Sequence, residues 1–164
     1  MNESIDNTVV LPRLFNKEIY AVEDKKSSES AFQFSGKSLS SILILTGDKK
    51  NEFFSSESFQ KLEEIITKGL KLAMDDVAIV NIYKNESCNF IHLQKQFLPK
   101  NIIAFGVLPT SIRLHIDAPL CEVIDFADCK MIFAETMETY ISNIEKKKKL
   151  WLALQIMFGL NQNK

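Results

Sequence analysis

An α/β domain built on a mostly parallel central sheet is what three features of this chain predict. Short continuous apolar runs recur at 41–45, 77–83 and 101–105, the pattern of strands buried on both faces. Stretches with apolar residues at helical spacing lie between them. The connections are short, so strand–helix–strand–helix–strand reads as parallel βαβ units with helices on both faces, a three-layer α/β/α arrangement.

Each element has its own warrant. The first run, Ser41-Ile42-Leu43-Ile44-Leu45, ends at Thr46-Gly47-Asp48. Phe59, Leu62, Ile65, Ile66, Leu70 and Ala73 then recur at helical spacing, with Ser56 or Ser58 available as the N-cap. The second run ends at Asn81, Ile82 and Tyr83. Phe90, Ile91, Gln94, Phe97 and Leu98 predict a helix closed by Pro99. The run Asn-Ile-Ile-Ala-Phe at 101–105 stops at Gly106. Stretches 122–126 and 130–134 predict short strands, joined as a hairpin around Ala127-Asp128. The last helix carries Ile144, Leu150, Trp151, Leu154 and Phe158. Ser142 and Glu145 stand at capping-box spacing before it, and Gly159 stands at its end.

The residues before this domain differ in character. Residues 1–37 read as an arm and linker, and 38–164 as the α/β domain. The arm holds an apolar cluster that includes Leu11, Leu14, Phe15, Ile19 and Tyr20, followed by a charged, Ser-rich run at 23–30. Two readings stand: an arm packed back on its own domain, or a recognition peptide for another protein.

Composition narrows the function. The 164 residues include 46% hydrophobic and 25% charged side chains, as in ordinary globular domains. Lys+Arg 20 against Asp+Glu 21 gives a net charge of -1, so no global positive field attracts nucleic acid. Only Arg13 and Arg113 offer the bidentate fork that reads phosphate or guanine, and five glycines are too few for an extended phosphate cradle. Cys88, Cys121 and Cys129 are widely spaced, with no C-x-x-C pair, which predicts reduced thiols rather than a disulfide framework or zinc site. The N-terminal stretch carries an early acid and no apolar run of signal-peptide length, and no stretch approaches a membrane span. A cytoplasmic protein without metal, cofactor or membrane contact is expected.

In parallel sheets ligands sit beyond the carboxyl ends of the strands. That edge should gather Gly47, Asp48, Asn81 and Gly106. Gly47-Asp48-Lys49-Lys50 lacks the spaced glycines and terminal Lys-Ser/Thr of a P-loop. Asp48 reads either as a general base or, more simply, as a turn former. His92 and His115 have no partner at ligand spacing. The four successive lysines at 146–149 read either as a solvated helix with snorkelling stems or as a phosphate-contacting patch.

The order of ILILTGD, FFSSESFQKLEEIITKGL, VAIVNIYKN, FLPKNIIAFGVLPTSI and KKKKLWLALQIMF resembles the uracil-DNA glycosylase superfamily, over about residues 42–158. The resemblance implies a water-activating loop at Gly47 and Asp48, and a base-reading Asn at Asn81. It also implies a Pro-Lys pair at Pro99 and Lys100 before a strand ending in Gly106. The family's His-Pro-Ser segment is replaced by Ala134-Glu135-Thr136, and the loop lacks its Pro. With the anion-stabilising histidine absent, the resemblance implies a retained fold and a lost enzyme. One non-catalytic group has that profile, the psi subunits of bacterial DNA polymerase III. Resemblance to that group implies an adaptor with no catalytic residue, whose arm docks on the clamp loader while its domain meets a chi-like subunit. Nucleic acid contact is then at most indirect. The competing expectations are a divergent glycosylase-like enzyme using Asp48 and Asn81, and a single-stranded DNA-binding module using the lysines at 146–149.

Overall fold

Strand β2 (Ile42–Thr46) is buried along its whole length because it has a neighbour on each side and packed side chains above and below. The computed structural model describes residues 32–50, 52–53, 56–85 and 88–160; the predicted arm, with Leu11, Leu14, Phe15, Ile19 and Tyr20, lies outside them. The remaining strands are β1 (Phe34–Gly36), β3 (Val77–Asn81), β4 (Asn101–Phe105), β5 (Ile124–Phe126) and β6 (Cys129–Ala134). They form one mixed sheet in the order β1-β3-β2-β4-β6-β5. The four central strands run parallel, and the two edge strands run antiparallel to their neighbours. The chain is therefore an α/β protein with a mostly parallel sheet.

Among the described residues four α-helices accompany the sheet: α1 (Glu57–Glu64), α2 (Phe90–Phe97), α3 (Met137–Ser142) and α4 (Ile144–Phe158). Alternation along each strand assigns the packing. Ile42 and Ile44, Val77 and Ile79, Ile103 and Phe105, and Ile132 and Ala134 share one core cluster with residues of α1, α3 and α4. Leu43, Leu45, Ala78, Val80, Ile102, Ala104, Met131 and Phe133 point the other way and are also buried. Phe34, in register with Val80, meets Phe97 of α2 edge-on at 4.9 Å between ring centroids. Phe90, at the other end of α2, meets Phe126 of β5 at 5.5 Å.

Local chemistry explains the boundaries. Helix α2 starts at Asn89, whose side chain accepts the His92 N–H, and ends on Leu98 in a left-handed conformation before Pro99. Ala127 and Asp128 both have positive φ, the turn that joins two strands in a two-residue hairpin. Gly159 closes α4 with φ +65. Other details differ from the sequence reading. The α1 segment finishes as a π turn at Ile65–Gly69, so its helical pattern does not run on to Ala73. The start of α4 is capped by Asn143, which accepts the Lys146 N–H, rather than by a Ser142–Glu145 box; Ser142 is the last residue of α3. Edge strand β1 is absent from the sequence reading because its three residues are all exposed and carry no apolar run.

Ile44 is 1% exposed at the middle of the central strand. Ile44→Ala should lower unfolding stability by about 3 kcal/mol, measured by denaturant titration, because the removed methyls leave a cavity that a sheet cannot collapse around.

Candidate functional site

The parallel register sets the ends of β2, β3 and β4 side by side: Thr46 pairs with both Asn81 and Phe105. Just beyond them, the backbones of two glycines nearly touch. A Cβ on Gly47 would lie 2.5 Å from the Gly106 carbonyl oxygen, and Gly106 itself has φ +69. Only residues without a side chain allow this approach. Gly47, Asp48, Asn81 and Gly106, the four residues singled out from sequence, do converge at this end of the sheet.

The Asp48 and Asn81 side chains are occupied by the neighbouring backbone. The Asn81 carboxamide oxygen accepts the N–H groups of Asp48 at 3.2 Å and Tyr83 at 3.1 Å. Its Nδ2 donates to the Asp48 carbonyl at 2.8 Å. The Asp48 carboxylate accepts the N–H of Lys50 at 3.1 Å and of Phe53 at 2.5 Å. That is the hydrogen-bond pattern of a turn-forming aspartate. Lys49 Nζ stands 5.4 Å from the Tyr83 ring centre, a further tie between the two loops.

A cleft of about 430 Å³ opens here, lined by Thr46, Gly47 and Asp48 and by the start of α1 and α3. Among the described residues Asp48, Glu52, Glu57 and Glu138 line it, against a single Lys50. Its floor has polar residues that spacing does not reveal. Ser58 Oγ donates to Glu138 at 2.5 Å across 80 residues of sequence, and the Thr46 hydroxyl is buried with no hydrogen-bond partner among the described residues. Behind Glu138, the hydroxyl of Tyr140 accepts the Glu135 N–H at 2.9 Å and lies 3.2 Å from the Cys121 sulfur. Burial, reinforced by Cys121, pushes the Tyr140 hydroxyl pKa upward. Gly106 also borders a second cavity of about 380 Å³, lined in large part by Val107, Leu108, Pro109 and Leu120.

The other candidate groups stay apart. His92 and His115 are exposed, on α2 and on a loop. The three cysteines are free and buried, and burial raises the Cys88 and Cys129 thiols to about 11. Among the described residues no group of three or more His, Cys, Asp or Glu could hold a metal ion, and no helix is long and apolar enough to cross a membrane. In the lysine run, Lys146 pairs with Glu135 at 2.9 Å and Lys148 lies 3.9 Å from Glu145. The chain matches no family model, and no curated protein matches it.

Asn81→Ala removes three hydrogen bonds and strips two backbone N–H groups of their partner. It should cost about 2–3 kcal/mol in denaturant unfolding. A side chain free to read a ligand would leave stability unchanged. Cys88 and Cys129 should resist alkylation in the folded protein at pH 8 and react once it is unfolded. Their unfolded thiols ionise near 9 and the folded ones near 11. The unfolded state therefore binds fewer protons in that window, and stability should fall as pH rises from 9 to 11.

Proposed function

We infer that this chain is a non-enzymatic accessory subunit of the replication machinery, resembling the psi subunit of bacterial DNA polymerase III. In this reading a three-layer, glycosylase-like domain carries an N-terminal arm that docks on the clamp loader, and the domain bridges to a chi-like subunit. The observation that carries it is the Asn81 carboxamide. In a glycosylase-like cleft an Asn at this position would read the edge of a flipped base. Here both lone pairs of its oxygen and one of its N–H groups serve the backbone of Asp48 and Tyr83.

Two further observations support the reading. The Asp48 carboxylate, the group that would activate water, is engaged by two backbone N–H groups. Four carboxylates against one lysine, among the described residues, make the cleft unfavourable for a phosphodiester backbone. The three-layer arrangement is supported by the two opposed sets of buried strand residues, with α1, α3 and α4 against one set and α2 beside Phe34 on the other. A cytoplasmic location belongs to the same reading and agrees with the three free, buried thiols.

The arm would order on binding, with Leu14, Phe15, Ile19 and Tyr20 as apolar anchors and Leu11 beside them, so a few residues should dominate affinity. Removal of residues 1–26 should leave a cooperatively melting domain that no longer binds a clamp loader in a titration; a truncated chain that binds as well as the full chain would refute the role of the arm. Incubation with uracil-containing single-stranded DNA should release no uracil. Release that disappears in Asp48→Ala and Asn81→Ala would establish an enzyme instead.

A further inference from the structure

Helix α4 buries Leu150, Ala153, Leu154 and Met157 against the sheet. Its outer side is not the polar face that such a helix ordinarily shows to water. Ile144 is 67% exposed, Leu152 55% and Ile156 63%. With Lys148 they form a single i, i+4 row of about 18 Å, the kind of ridge that packs into the groove of another helix.

The charge on this face is as unusual as its apolarity. Between Ile144 and Phe158 there are four lysines and one acid, Glu145. The lysines occupy the first turns, where the helix dipole favours negative charge, so their placement gains nothing from the dipole. Lys146 turns aside to Glu135, while Lys148 stands in the apolar row, 3.9 Å from Glu145, and Lys149 stands in solvent beside it.

We propose that this ridge is a protein-docking surface for an amphipathic helix whose apolar i, i+4 row is flanked by acidic residues. Charge complementarity selects that occupant. A parallel copy of the same face would set lysines on lysines, and an antiparallel copy would lay Lys148 against Leu152 or Ile156 with no acid facing it. A nucleic acid strand would use the lysines and leave Leu152 and Ile156 in water. The proposal rests on the adaptor reading: the arm supplies one contact of a bridge, and the α4 ridge supplies the other.

The test uses the full chain as bait for a displayed library of 18-residue helical peptides, read against three variants. Enriched peptides should carry an apolar i, i+4 row with flanking Asp or Glu. Their affinity should fall at least tenfold with Leu152→Glu or Ile156→Glu, neither of which touches the buried side of α4. The double variant Lys148→Glu, Lys149→Glu should lose the same peptides and recover binding when their acids are exchanged for lysine; it decides the matter should either apolar variant fail to fold. Failure to enrich any peptide sensitive to these residues would overturn the proposal. So would Leu152-dependent binding of phosphatidylglycerol vesicles, Lys148-dependent binding of oligothymidylate, or a dimer that Leu152→Glu dissociates. All variants keep the arm, so a negative result here leaves clamp-loader binding intact and separates the two readings.

Discussion

The Asn81 carboxamide, seated on both backbone groups of Asp48, is the contact on which the cleft end of this protein depends. Its position follows from register. Thr46 and Asn81 are the last paired residues of β2 and β3, so a side chain leaving β3 there reaches the loop leaving β2. The same register brings Gly47 against the Gly106 backbone, which closes the third side. The Asp48 carboxylate then folds the following residues back toward Phe53, whose ring is buried in the core. One amide thus ties together the loops leaving β2 and β3, and Gly47 and the Asp48 carboxylate carry the linkage on to the end of β4 and the entry to α1.

That linkage has a chemical consequence. A group held by three hydrogen bonds to backbone has little left to offer a ligand. The place where α/β folds usually bind small molecules is kept in shape here by the very residues that would do the binding. The near-balance of charge across the chain fits the same picture locally: acids gather at the cleft, while lysines gather on the outer turns of α4.

The central strands were legible because β2, β3 and β4 are short apolar runs with turn residues at their ends, and burial on both faces demands that composition. The hairpin at Ala127-Asp128 and the stop at Gly159 were legible because few residues suit those backbone angles. Strand β1 left no signal, since an exposed edge strand of three residues needs pairing partners and not apolar side chains. The cap of α4 moved by one residue because Asn143 ends α3 and starts α4 at once, which spacing alone does not distinguish from a Ser142–Glu145 box. At the cleft, sequence order located Gly47, Asp48, Asn81 and Gly106 but not what they do. The partner of Asn81 is 33 residues away and that of Ser58 is 80 away, distances only the folded sheet brings together.

Protein contacts, rather than chemistry in the cleft, are the work we propose for this chain. Its most direct test is purification of the full-length protein, tagged and at its native level, from its own cells at low salt, with the stoichiometry of every companion measured by mass spectrometry. An adaptor should bring clamp-loader subunits with it in fixed ratio to the tagged chain. Recovery of the chain without them, or with fragmented DNA as its sole companion, would contradict it.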